Sequence, residues 1–223
     1  MTSVVNFFQY SFVQSVVASL LAALIVLLVS VTLSKSFRRA LTALASTFLN
    51  VDVKYVFRNG REAEPVIRAA LEDGRTVKIF TSRGNEFQRE LYRPLLDGRG
   101  ERKVYLLLPA VDPRPNQTNW VASREEELAA VDRAFGGGNL ARQIETNVEF
   151  LHPYIRPERF ELKRYQAPHI GRIIITERYC FLTPYAIEKH GRDSRVYQYG
   201  RGDMYDMFER FFDLIWADSA NHQ

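Results

Sequence analysis

One cysteine, Cys180, is all the chain has in 223 residues, so no intrachain disulfide can form and a reducing compartment suits it. It sits in the apolar run Tyr179-Cys-Phe-Leu182 and reads as a buried, inert thiol. There is no Gly-Lys-Ser or Gly-Lys-Thr phosphate loop and no Gly-x-Ser-x-Gly elbow, which removes two large classes of hydrolase. His152, His190 and His222 have no partners at metal-ligand spacing, so neither a metal nor another cofactor is expected. Internal repeats and low-complexity tracts are missing as well. The most informative absence is charge: no Asp, Glu, Lys or Arg stands between Thr2 and Ser34.

That uncharged stretch has an apolar core from Phe12 to Leu33 and is closed by Lys35, Arg38 and Arg39. About 20 apolar residues suffice for a helix to cross the hydrocarbon layer, so residues 12–33 are expected to lie in a lipid bilayer as a single span. A secretory signal peptide would carry its positive charge before the apolar run, not after it. The cations at 35, 38 and 39 predict an inner-membrane protein with its N-terminus outside and its C-terminal domain cytoplasmic. Ser15, Ser19 and Ala23 recur four apart, a spacing that admits a second helix at close range.

Three of the formal net charges of +4 are those juxtamembrane cations, and the remainder is close to neutral. Nucleic acid is therefore not an expected partner. The chain divides into an N-terminal tail and span over 1–34, a basic amphipathic helix over 35–50, and one cytoplasmic domain over 51–223. Within that domain a helix is predicted over Glu62–Leu71, then a strand over Thr76–Thr81, a loop at Ser82–Asn85, a helix over Glu86–Leu96 and a strand over Lys103–Pro109. This is a β-α-β unit with a parallel strand pair. Ser123, three before Glu126, predicts a capped helix reaching Phe135. Arg124-Glu-Glu-Glu127 reads as its solvated face. After Gly136-Gly-Gly138 a helix is expected over Asn139–Leu151, then strands over Phe160–Tyr165, Arg172–Thr176, Tyr179–Pro184 and Val196–Tyr199. Lys189 to Arg195 reads as a loop. Asp203–Asp218 closes the chain as an amphipathic helix with an aromatic stripe.

This order resembles one half of the phospholipase D superfamily fold over Val51 to about Ala217. The resemblance is carried by Val77-Lys-Ile-Phe-Thr-Ser82 followed by a helix, by Lys103-Val-Tyr-Leu-Leu-Leu108, and by Pro168-His-Ile-Gly-Arg-Ile-Ile-Ile-Thr-Glu-Arg-Tyr-Cys-Phe-Leu182. It implies an α/β fold with a phospholipase D-like mixed sheet flanked by helices. In the family's H-x-K-x-x-x-x-D signature the His attacks phosphorus, the Lys binds phosphate oxygens and the Asp supports them. Laid on this chain, the signature keeps His169 and replaces its Lys by Gly171 and its Asp by Thr176.

Arg172 and Glu177 each stand one residue late, and a one-residue shift on a regular strand turns a side chain to the other face. Only a bulge at Gly171 would let Arg172 stand in for the lysine. The expected protein is thus a membrane-anchored, noncatalytic sensing or interaction module, an architecture that suits bacterial stress or antiphage signalling. The resemblance also implies pairing of half-domains, hence a homodimer. The alternative is a dimeric phosphodiesterase or phospholipase with His169 as nucleophile, Arg172 or Arg164 on phosphate and Glu177 assisting. A purely structural membrane scaffold is a third. A phosphate-containing ligand is expected near Thr81, Ser82, Arg83 and Gly84, at the carboxyl end of a parallel strand, with Arg164 and Tyr165 nearby.

Overall fold

Residues 16–29 are apolar or small, carry no charge, and form helix α1 with every side chain exposed. It belongs to a compact unit, Met1–Val51, that also holds α2 (Lys35–Phe48), where Ser34 Oγ accepts from Phe37 N at 3.1 Å as a cap. The computed structural model describes residues 16–29, 34–48, 51–88, 91–96, 101–112, 118–185 and 191–219. The expected span therefore lies partly outside the described residues, at 12–15 and 30–33. Among the described residues no helix is long and apolar enough to cross a membrane.

The second unit, Asp52–Gln223, is built on a sheet. Its described elements are β1 (Val53–Phe57), α3 (Gly60–Asp73), β2 (Thr76–Phe80), α4 (Arg93–Leu96), β3 (Lys103–Pro109), α5 (Trp120–Val131), α6 (Asn139–Leu151), β4 (Phe160–Tyr165), β5 (Gly171–Ile175), β6 (Cys180–Pro184), β7 (Val196–Tyr199) and α7 (Asp203–Asp218). The strand order is β1-β7-β6-β5-β2-β3-β4. β2, β3 and β4 run parallel, and β5, β6, β7 and β1 follow as antiparallel neighbours. The result is a mixed α/β sheet flanked by helices.

Parallel strands need crossovers that cover both faces, which explains the unbroken apolar run in β3. Val77, Ile79, Leu106 and Ile174 face one cluster with Ile67 and Leu71 of α3. Phe80, Leu107, Ile173 and Ile175 face the other, with Tyr205, Phe208 and Phe212 of α7. Lys78 also reaches across to α7, with Nζ 3.2 Å from Glu209 and 2.8 Å from Asp213. The start of α7 is held by Asp52, whose carboxylate accepts from Met204 N at 2.8 Å.

Several expectations need correction. The segment Glu86–Leu96 is not one helix but a 3₁₀ turn at Asn85–Gln88 and the short α4, whose first turn holds Pro94, a place that suits a residue without an N–H. Ser123 does not cap α5. Asn119 does, its Oδ1 accepting from Ala122 N at 3.0 Å, and the earlier start buries Val121. The helix ends at Val131, and Asp132 caps a separate 3₁₀ turn, Arg133–Phe135. Arg124 and Glu125 are buried rather than solvated. Strand β1 was not anticipated: it is a five-residue partner of β7 with weak alternation. β4 and β5 are not neighbours, since β2 and β3 lie between them.

Phe212 is almost fully buried and stacks on Trp216 with ring centroids 5.8 Å apart. Phe212→Ala is expected to cost about 3 to 5 kcal/mol, read as a lower denaturant midpoint with an unchanged slope.

Candidate functional site

Thr81, Ser82, Tyr165, His169 and Arg172 come to one edge of the sheet, where β2, β3 and β4 end and β5 begins. Alternation then sorts them onto two faces. On the α7 face, Tyr165 stacks on Phe80 at 4.3 Å, and its hydroxyl donates to the Thr81 carbonyl oxygen at 3.3 Å. The His169 ring stands edge-on to Tyr165 at 5.8 Å. Both ring nitrogens are buried and, like Thr81 Oγ1, find no hydrogen-bond partner among the described residues. Burial, reinforced by the positive charge of Arg124, pushes the His169 pKa down to about 4, so the imidazole is neutral at pH 7.

No bulge occurs at Gly171. The pairs Gly171↔Pro184, Arg172↔Thr183 and Ile173↔Leu182 run in unbroken register, so Arg172 enters the opposite face from Gly171. Nor is there room at Gly171 for the family's lysine: a Cβ there would stand 2.7 Å from the Thr183 carbonyl oxygen. Arg172 instead meets Glu86, Nη1 to Oε1 at 3.3 Å, and Thr183 Oγ1 at 3.4 Å. Burial opposes the charge on Arg172, but Tyr92, Glu86 and Tyr185 outweigh it and hold the guanidinium protonated.

Arg164 and Glu177 are elsewhere. Arg164 spans Glu145 of α6, at 2.5 and 3.3 Å, and the Pro109 carbonyl oxygen at 2.9 Å. That use is structural. Glu177 lies at the other end of β5, about 17 Å of strand away at the usual rise. Its carboxylate accepts from Thr76 N at 2.5 Å, while Thr176, at the family's Asp position, closes the turn to Tyr179.

The loop after β2 is firmly held. Gly84 takes φ +76° directly over Leu108, a conformation that favours glycine. Buried Asn147 of α6 donates to the Arg83 carbonyl oxygen at 2.8 Å and accepts from Gln88 at 2.7 Å. Ser82 Oγ lies 3.1 Å from the Tyr185 hydroxyl. Beside this loop, on the α3 side, opens a cavity of about 740 Å³. Ser82, Arg83, Arg172, Tyr185, Tyr92 and Arg192 are among its lining residues; Thr81, His169 and Arg164 are not. Arg83 lies 5.3 Å over the Phe135 ring. Gly60 N, the first amide of α3, donates to the Arg192 carbonyl oxygen at 2.9 Å and draws that loop onto the rim.

Sequence reasoning missed Arg124, Glu86, Tyr92, Tyr185 and Arg192. Arg124 stands in a run of like residues that reads as a charged face, yet it lies 5.5 Å over the Tyr185 ring and pairs with Glu127 at 2.6 Å. Among the described residues no cluster of His, Cys, Asp or Glu is placed to hold a metal ion. Burial pushes the Cys180 thiol above its ordinary value, with Glu209 adding to it.

No family model matches the chain, and no curated protein does. Among solved structures, TrmBL2, described as an archaeal chromatin protein with a novel mode of DNA binding, superposes with a TM-score of 0.42 at 13% identity. That likeness covers 92% of this chain and 65% of the other, so the chain spans less than two thirds of TrmBL2. Nuc from Salmonella typhimurium, a phospholipase D family member, superposes with a TM-score of 0.46 at 10% identity, covering 76% of this chain and 97% of Nuc.

The neutral His169 sets a pH dependence. Its pKa falls from 6.5 to about 4 on folding, so the unfolded chain binds the extra proton first as pH drops through that window, and stability drops with it. Between pH 8 and pH 5 the protein is expected to lose about 2 kcal/mol more than His169→Asn does, measured by denaturant unfolding at both values.

Proposed function

We propose that this chain is a membrane-anchored, noncatalytic phospholipase D-like module that senses a phosphate-bearing ligand in the cavity on the α3 side. The observation that carries the reading is the dispersal of the groups a phosphohistidine mechanism needs. His169 stands just before β5 and receives no cation from it, because Gly171 is closed off by Thr183 and Arg172 turns away to Glu86. Glu177 is committed to Thr76 at the far edge. A well-placed cation typically contributes about 3 to 4 kcal/mol to stabilising the phosphoryl transition state, and nothing on β5 supplies it to His169.

The cavity takes over as the ligand site. Arg61, Arg83 and Arg192 reach its rim, guanidinium groups suited to phosphate oxygens. Anchoring rests on residues 12–33. In α1 every described side chain is exposed and none is charged, with Leu20 and Val26 each 64% exposed, a surface suited to lipid. Pairing into a homodimer would couple the ligand state to the membrane.

One observation favours the enzymatic alternative. An uncharged imidazole whose nitrogens are not hydrogen-bonded keeps the lone pair that a nucleophile needs, although the groups that bury both nitrogens would have to part before a substrate reached it, and Arg124 is the charge that acts on it. In a dimer, Arg124 would then have to supply the missing cation.

Phosphodiester hydrolysis by the full chain in mild detergent, over lipid, cyclic-nucleotide and nucleic-acid substrates, separates the two. No turnover above background is expected. Turnover abolished by His169→Ala in a folded protein would establish the enzyme instead. For the anchor, the chain is expected to stay with membranes through an alkaline carbonate wash and to be released once residues 1–34 are removed; release of the intact chain would refute it.

A further inference from the structure

Helix α2 carries its charge at the end that disfavours a helix in water. Lys35 is its first residue, and Arg38 and Arg39 follow within the next turn, while its first turn holds no acid and its last turn no base. The free amide groups at a helix start already concentrate positive potential, so cations beside them oppose the helix instead of supporting it. An acid nearby would offset that cost. Residues 1–51, the whole of this compact unit, contain no Asp and no Glu, so its side chains carry a charge of +3 that no carboxylate of its own can neutralise.

The apolar residues of α2 raise the same question from the other side. Phe37, Leu41 and Leu44 recur at three- and four-residue spacing and share one face, whereas Lys35, Arg39 and Thr42 share the opposite one. A helix of a water-soluble fold lays such an apolar stripe into a core. Here Phe37 and Leu41 stay partly exposed, Leu44 is 55% exposed, and none of the three joins a described core cluster. The uncharged helix α1, exposed along its length, ends at residue 29, shortly before this positive end begins.

Counter-charge and apolar cover are supplied together by one partner, the surface of a bilayer that contains anionic phospholipid. Acyl chains cover the stripe, and headgroup phosphates meet both the cations and the positive helix end. A second copy of this unit is a poorer cover, since it would bring three more cations against these and no acid.

We infer that α2 is an interfacial helix that binds anionic phospholipid, with Phe37, Leu41 and Leu44 at the acyl boundary and Lys35, Arg38 and Arg39 toward headgroup phosphates. This rests on the membrane-anchored reading and adds which class of lipid holds the segment after the anchor.

The test places the full chain in vesicles of phosphatidylcholine alone or with about one third phosphatidylglycerol, made with brominated acyl chains that quench a nearby fluorophore. The fluorophore is attached at Leu44→Cys or, on the opposite face, at Thr42→Cys; the native Cys180 is buried and stays unlabelled in the folded chain. Quenching at residue 44 should be strong in the anionic vesicles, weak in phosphatidylcholine alone, and lost as salt is raised, while residue 42 stays unquenched. Lys35→Gln and Arg38→Gln should each weaken the docking of α2 about five-fold. The salt titration needs no substitution at a cation, so a misfolded variant cannot imitate the result. Equal quenching of residue 44 in both vesicles overturns the inference, as does quenching that neither salt nor either variant changes. A residue 44 shielded from water yet never quenched by lipid also overturns it and puts a protein surface over the stripe. The anchor is scored apart, by the carbonate wash: a chain that the wash releases but that docks α2 on anionic vesicles at low salt refutes the anchor and leaves this inference standing. A chain that survives the wash with residue 44 unquenched refutes the inference alone.

Discussion

Everything at this edge of the sheet depends on the two-residue period of β5. Gly171, Arg172 and Ile173 pair with Pro184, Thr183 and Leu182 without interruption, so consecutive side chains take opposite faces. One extra residue in that strand would have sent Arg172 toward His169. As the chain stands, Arg172 leaves the face of Gly171 and turns to Glu86. His169 is left beside Tyr165 and Arg124, and Arg172 becomes a floor group of a cavity on the far side.

Three largely buried cations on the strands are tied to acids on the covering elements. Lys78 meets Glu209 and Asp213 of α7, Arg164 meets Glu145 of α6, and Arg172 meets Glu86 of the turn after β2. Such pairs add little net stability, since desolvation offsets most of their attraction. What they fix is position: each acid sets where one covering element lies along its strand. The pair at Arg172 differs from the one at Arg164, where Nε also has a partner, the Pro109 carbonyl oxygen.

The strands that form the middle of the sheet were legible because burial on both faces demands continuous apolar runs, as in β3, and α7 was legible from its aromatic stripe. β1 was not: Val53-Lys-Tyr-Val-Phe57 has weak alternation and owes its place to pairing with β7, a contact far away in sequence. Local rules also misplaced the cap of α5, because Asn119 and Ser123 are equally able acceptors and the burial of Val121 decides between them. At the site, the nearness of Thr81, Tyr165 and His169 follows from strand ends and could be read. The convergence of Glu86 and Tyr92 on Arg172 could not, since it needs the chain after β2 to break into two short turns where the sequence reads as one helix.

Asn147 makes two demands at once, with its NH₂ directed at the Arg83 carbonyl oxygen and its oxygen at the Gln88 amide. Only a carboxamide has a donor and an acceptor at that separation on so short a side chain. An aspartate would set its oxygen against a carbonyl, and an apolar residue would strand both groups. Position 147 on α6 is therefore not free to drift alone: a lineage that changes it must also change Gln88 or reshape the loop at Arg83. Residues 88 and 147, far apart along the chain, should be inherited as one unit.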